Sequence, residues 1–174
     1  MISIKRASSA ENVGGKLFGE AFMPEKWLEN DEFSIGEVFF CQIDLEKIKA
    51  FDKDGLLPDK GFLYFFIDFD ENPAKGVVRY SETADSLTPF NEECELFYDV
   101  ETEVPLELRS GESENGLLAY DKKLLDNEVC LLKFTPNTLD GVDFLSDVDG
   151  SLLFVIDKEA LKKRRFDKAV LINV

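Results

Sequence analysis

The chain has 174 residues, of which 44% are hydrophobic, and this is enough for one folded domain with a buried core. Its 36 acidic and 20 basic residues give a formal charge of −16, which disfavours binding to nucleic-acid phosphates and anionic lipids. The chain has no histidine, so the usual general base, the imidazole-dependent triads and the commonest metal ligand are missing.

The first 35 residues contain several glycines, Pro24 and Trp27, with few periodic apolar positions. This pattern predicts an irregular segment wrapped over the domain, with a short helix around 25–28 and Trp27 as its anchor. No apolar run follows the two basic residues near the N-terminus, and no run reaches transmembrane length. We therefore expect a cytoplasmic protein.

A strand and a capped helix are predicted next. Residues 37–43, EVFFCQI, form an apolar run typical of a strand. Asp44 follows and can cap a short helix, in which Leu45, Ile48 and Phe51 share one side. This helix is expected to pack beside the sheet.

Further apolar runs, separated by short polar turns, predict additional strands. They lie at residues 62–69, 77–80, 95–100, 106–109, 117–120, 129–134, 152–156 and 169–172. Asp157 can cap a closing helix over 158–166. The surplus of short strands predicts a mainly β or α+β fold, with largely antiparallel sheets in a barrel-like or sandwich core and a few short peripheral helices.

Two stretches of the chain, 37–68 and 128–157, are similar to one another. Both run from a β-rich segment through an acidic connection to a glycine and a second β-rich segment. This similarity predicts an internal duplication within a single domain of residues 1–174, with two halves that share a core. The matching positions are Gly61 with Gly150 and Asp68 with Asp157.

The cysteines and acid-rich turns indicate no metal or cofactor site. Cys41, Cys94 and Cys130 form no Cys-x-x-Cys pair, and the first and third lie in strand-like runs, so we expect reduced, buried thiols there. The acidic turns at 52–55, 68–72 and 147–150 lack the spacing of a calcium loop. Their carboxylates are expected to cap or form turns.

Three segments carry a family resemblance: Gly14-Gly15 with Trp27, the sequence QIDL at 42–45, and LLPDKGFLYFF at 56–66. They resemble the YwqG-like family of bacterial proteins of unknown function. The segment 149–156 is similar to that family's closing strand. The resemblance implies a β-rich bacterial cytoplasmic fold, and some relatives are suspected of neutralising toxins. It supplies no catalytic residues.

Charge, the missing catalytic set and the resemblance together favour a non-enzymatic protein that binds a basic partner, as an immunity-type protein binds a toxin. Two alternatives stay open. One is a small-ligand or carbohydrate-binding module, in which Trp27, Tyr64 and Tyr80 line a cleft between the halves. The other is a hydrolase built on a carboxylate pair. The candidate partner-binding residues are exposed loop acids: Asp70, Glu71, Glu92, Glu93, Glu112 and Glu114.

Overall fold

The computed structural model describes residues 1–30, 33–88 and 103–174. The strands of this part are β1 (Ile2–Arg6), β2 (Val13–Leu17), β3 (Ala21–Met23), β4 (Glu37–Asp44), β5 (Phe62–Asp68), β6 (Lys75–Ser81), β7 (Ser86–Thr88), β8 (Val104–Ser110), β9 (Gly116–Ala119), β10 (Glu128–Phe134), β11 (Leu152–Asp157) and β12 (Val170–Asn173). The α-helices are α1 (Glu25–Glu29), α2 (Leu45–Ile48) and α3 (Lys158–Lys162), and 3₁₀ turns occupy Ala10–Asn12 and Phe166–Lys168. The predicted mainly β class with short helices is confirmed.

Ten of the strands form one antiparallel sheet in the order β12-β11-β10-β9-β1-β8-β2-β4-β5-β6. The sheet curls until its two ends meet, because Gly76 on β6 lies against Leu171 on β12 and Phe154 on β11. The strands β3 and β7 form a separate antiparallel pair. The predicted antiparallel, barrel-like core is therefore confirmed.

Apolar side chains fill the inside of the barrel and also cover part of its outside. Phe40 lies at the centre, with its ring 5.4 Å from that of Phe144 and 6.2 Å from that of Phe154. On the outside, an aromatic cluster holds the N-terminal segment on the sheet. The prediction that Trp27 anchors this segment is confirmed, since the indole is 7% exposed and packs on Tyr64.

The prediction of an irregular N-terminal segment is wrong, because β1, β2 and β3 lie within it. β1 was missed although Ile2 and Ile4 point into the core. β2 was missed because its two glycines resemble a turn. A Cβ on Gly15 would lie 2.6 Å from the carbonyl oxygen of Gln42, so the close approach of β2 to β4 requires glycine.

Both predicted aspartate caps are present. The Asp44 carboxylate accepts the backbone N–H of Glu46 at 3.0 Å, and α2 follows it. The Asp157 carboxylate accepts from Glu159 at 2.8 Å and from Ala160 at 3.2 Å, and α3 follows. α3 ends at Lys162, earlier than predicted, because the chain reaches a positive φ of 54° at Arg164. The predicted strand at 95–100 lies outside the described residues.

The strand pairs β4–β5 and β10–β11 have matching geometry. Glu37 faces Asp68 in the first pair and Glu128 faces Asp157 in the second, and each pair shifts register two residues further along. In the sheet, β8 lies beside β2, and β1 lies beside β9. The N-terminal strands β1 and β2 therefore pair with β8 and β9 from the later part of the chain.

The two long connectors close opposite ends of the barrel. Because neighbouring strands alternate in direction, β4 and β10 end at opposite mouths. The connector from α2 to β5 covers one mouth and places Leu57 in the core. The connector from β10 to β11 covers the opposite mouth and inserts Phe144 beside Phe18 and Phe40.

Candidate functional site

A cleft of about 630 Å³ opens at the mouth that the α2–β5 connector covers, and we call it the mouth cleft. One wall comes from residues 51–56 of that connector. The other wall is the β9–β10 loop with its flanking residues, 118–130. Met1, Ile2 and residues 110–112 at the end of β8 lie between the walls, and Lys158 at the start of α3 completes the lining.

Large apolar side chains are exposed along this cleft. Tyr120 is 84% exposed and Leu125 is 63% exposed, while Met1 and Leu56 are 38% and 37% exposed. Half of the large hydrophobic side chains that are exposed in the described part of the chain thus line one concavity. Such a concentration, rimmed by polar groups, is typical of an interaction surface.

The charges around the mouth cleft are mainly negative. Asp54, Glu112 and Asp126 are exposed, whereas Asp52 and Glu128 are half-buried. These five carboxylates face two lysines, Lys53 and Lys158. The excess of acid gives the cleft a negative potential that attracts cationic groups.

Hydrogen bonds fix the β9–β10 loop, which carries Tyr120 and Leu125. The Asp121 carboxylate accepts the backbone N–H of Lys123 at 3.0 Å, and it pairs with Lys133 at 3.4 Å. The hydrogen bond from Lys123, followed by the charge of Lys133, lowers the pKa of Asp121 against an opposing effect of burial. Glu128 accepts the backbone N–H of Leu125 at 2.9 Å. The two exposed apolar side chains therefore stand on an ordered backbone.

The start of α3 supports the same loop from behind. The Asn127 side-chain amide donates to Asp157 at 2.8 Å, and the backbone N–H of Lys158 donates to the Asn127 carbonyl at the same distance. The Lys158 ammonium donates to the Asp126 carbonyl at 2.6 Å. The cap of α3 and the wall of the cleft are therefore one hydrogen-bonded unit.

Asp52 holds the opposite wall. Its Oδ2 accepts the backbone N–H of Leu57 at 2.7 Å, which positions the connector between α2 and β5. Its Oδ1 is buried and has no hydrogen-bond partner within residues 1–30, 33–88 and 103–174. An unpaired carboxylate oxygen adds to the negative potential of this wall.

The sequence-predicted acids are not brought together. Glu112 lines the mouth cleft, and Glu114 is exposed nearby in the β8–β9 connection without lining it. Asp70 and Glu71 are exposed in the β5–β6 turn at the opposite mouth. Glu92 and Glu93 lie outside the described residues.

The residues that sequence reasoning missed are Tyr120 and Leu125. Residues 117–120 were predicted as one strand, but β9 ends at Ala119 and leaves Tyr120 at the mouth. The turn-forming Asp121 was the available signal, because it marks the strand end. Exposure of an apolar side chain depends on long-range packing and has no local sequence signal.

The alternative of a cleft lined by Trp27, Tyr64 and Tyr80 is wrong. Trp27 and Tyr64 pack against each other with ring centroids 5.1 Å apart, and the Tyr64 hydroxyl donates to the Phe22 carbonyl at 2.8 Å. Tyr80 lies elsewhere, against Phe166, and lines a separate charged groove of about 670 Å³. The three aromatic residues therefore form no shared ligand surface.

The predicted burial of two thiols is confirmed. Cys41 and Cys130 are 0% exposed. Burial raises the pKa of Cys41, and it raises that of Cys130 to about 12, so neither side chain forms a thiolate near neutral pH. Cys94 lies outside the described residues. Among those that are described, no group of three His, Cys, Asp or Glu side chains could hold a metal ion.

Comparison with known proteins places the chain in a family without assigned activity. A family model described as a domain of unknown function, DUF1963, matches residues 15–138, which is more than two thirds of the chain. No curated protein matches the chain. No helix in the described ranges is long and apolar enough to span a bilayer.

Proposed function

We propose that this chain, which belongs to the DUF1963 family of domains of unknown function, is a non-enzymatic protein that binds a basic protein partner. The observation that carries the proposal is the mouth cleft, where five carboxylates and two lysines surround exposed apolar side chains. Of the acids predicted from the sequence, Glu112 is the one that belongs to this surface.

Internal ion pairs leave most of the negative charge available to a partner. Among the described residues, nine ion pairs engage eight carboxyl groups. The described ranges hold 29 of the 36 acidic residues of the chain, so most of their carboxyl groups stay outside these ion pairs. Complementary potentials of this kind raise the association rate with a basic protein, and salt weakens them.

An immunity-type role, in which the basic partner is a toxin, is the form of this function that the resemblance to the YwqG-like family supports. We also propose that the chain is a YwqG-like protein and that it is cytoplasmic. The test of the immunity role is growth rescue: each basic protein encoded beside this gene is expressed alone and together with this chain, and one that is toxic alone should be neutralised by co-expression. Rescue is expected. Failure of rescue with intact peptide binding would remove the immunity role and leave the binding function standing.

The internal duplication is also a proposal, and the fold supports it in detail. The β4–β5 and β10–β11 pairs share their register and the position of their register shift. Gly61 and Gly150 precede the second strand of each pair with φ values of 90° and 89°. The exchange of β1 and β8 between the halves would then make each half dependent on the other. Equal destabilisation by alanine at the two glycines is the expected outcome.

Titration calorimetry with a short oligolysine peptide tests the binding function. We expect binding at low salt, loss of affinity at high salt, and no binding of an oligoglutamate peptide. Replacing Asp54→Asn and Glu112→Gln together should weaken oligolysine binding about fivefold, since each exposed pair contributes about 0.5 kcal/mol. The matched control, Asp70→Asn with Glu71→Gln, removes the same charge at the opposite mouth and should have a smaller effect. Equal effects of the two double variants would contradict the assignment to the mouth cleft.

A further inference from the structure

We infer that the mouth cleft docks an amphipathic cationic segment of a partner protein. An apolar side chain of that segment contacts Tyr120 and Leu125, and its Lys or Arg side chains face Asp54 and Glu112. This inference rests on the proposed function and adds to it the apolar anchor that selects one basic segment over another.

The first observation that supports the inference is the exposure of Tyr120 and Leu125. Both side chains follow β9 at the barrel mouth and are 84% and 63% exposed, so most of their apolar surface contacts water. Covering that surface is favourable in proportion to its area. Tyrosine is also enriched among the residues that dominate protein interfaces. These two side chains therefore provide the anchor contacts.

The second observation is the fixed backbone of the β9–β10 loop. Asp121 and Glu128 accept backbone N–H groups at 3.0 and 2.9 Å, and Asn127 binds the side chain that caps α3. A loop held in this way loses little conformational freedom when a partner binds. The anchor side chains are thus presented before the partner arrives.

Charge and shape identify the occupant. Five carboxylates against two lysines favour a cationic segment, and the same charge repels nucleic acid. A small-molecule site holds its aromatic groups turned inward, whereas Tyr120 stands almost fully in solvent on the rim. A protruding aromatic side chain fits an extended surface on another protein better than an enclosed ligand.

Two short peptides of equal positive charge, one alternating Lys with Leu and one alternating Lys with Ser, test the inference by calorimetry. The wild-type protein should bind the Lys–Leu peptide about tenfold more tightly than the Lys–Ser peptide. Leu125→Ser and Tyr120→Ser should each remove most of that preference, because each weakens Lys–Leu binding more than Lys–Ser binding. Tyr120→Phe should retain the preference for the Lys–Leu peptide, because it keeps the aromatic ring. Its retention attributes the loss in Tyr120→Ser to the missing ring and not to misfolding.

Leu87→Ser is the matched control, since Leu87 on β7 is 58% exposed and lies away from the cleft. It should keep the preference for the Lys–Leu peptide. Equal affinities of wild type for the two peptides would overturn the anchor inference and leave the proposed function intact. If neither peptide binds, both the anchor inference and the proposed function are overturned. Self-association of the protein that Tyr120→Ser abolishes would identify a second copy as the occupant and also overturn the inference.

Discussion

Alanine substitution at three connector glycines gives a graded test of the fold. Gly61 and Gly150 precede β5 and β11 with φ values of 90° and 89°, and Gly55 lies in the α2–β5 connector with a φ of 60°. A Cβ on Gly61 would lie 2.8 Å from the Cα of Glu82, and closer still to the preceding carbonyl oxygen. A Cβ on Gly150 would contact the carbonyl group of Val174 in the same way. A Cβ on Gly55 would meet no atom within 4 Å.

The expected magnitudes follow from these contacts. Gly55→Ala adds left-handed strain of about 1 kcal/mol, and the reduced freedom of the unfolded chain offsets about 0.4–1 kcal/mol of it. Gly61→Ala and Gly150→Ala add strain of about 1–3 kcal/mol, together with displacement of the backbone that each contacts, at Ser81 and Glu82 in the first case and at Val174 in the second. We expect each of these two variants to lose about 3 kcal/mol of unfolding free energy, which corresponds to about 6–12 °C in Tm for a chain of this size.

Urea unfolding followed by circular dichroism measures these differences as shifts of the midpoint at constant slope. Gly61→Ala and Gly150→Ala should shift the midpoint by similar amounts, and Gly55→Ala should shift it little. The reasoning is refuted if all three variants have the same stability. Unequal effects at Gly61 and Gly150 would contradict the proposed equivalence of the two halves.

Three further outcomes follow from the described contacts. Glu37 binds Arg79 at 2.6 and 3.0 Å in a pair that is almost buried. Glu37→Gln should therefore lower the free energy of unfolding in urea by about 3 kcal/mol. An unchanged midpoint would show that the pair adds nothing to stability. The hydrogen bond from Asn127, followed by those from the backbone N–H groups of Ala160 and Glu159, lowers the pKa of Asp157 from 3.8. The ionised Asp157 carboxylate therefore stabilises the folded protein above pH 3.8, and this contribution is lost as pH falls through the lower pKa of the native state. Asp157→Asn should therefore flatten the acid arm of the pH–stability curve, and an identical acid arm would contradict this. Cys41 and Cys130, both buried, should resist iodoacetamide in the native protein and react with it in urea. Peptide mass spectrometry measures this, and labelling of either thiol in the native protein would contradict its burial.

Local signals in the sequence predicted much of the barrel. The runs that became β4, β5, β10 and β11 are apolar on both sides, because these strands are covered inside and outside, and such runs are easy to recognise. Asp44 and Asp157 each cap a helix within a few residues, so they too act locally.

Long-range geometry set the features that the sequence did not predict. The glycines of β2 resemble a turn until β4 is placed beside them, and β1 pairs with strands more than a hundred residues away. The mouth cleft depends on strand pairing between distant parts of the chain, which brings Met1, residues 51–56 and Tyr120 to one barrel end. Composition predicted an acidic surface, and only the fold shows which acids surround apolar side chains.

Amide chemical shifts of the labelled 174-residue chain, titrated with the Lys–Leu peptide, test most directly whether the mouth cleft is the binding surface. We expect shifts concentrated at residues 52–56, 110–112 and 118–128, saturating with the affinity measured by calorimetry. Shifts concentrated instead at the opposite mouth, around Asp70 and the β10–β11 connector, would contradict the account.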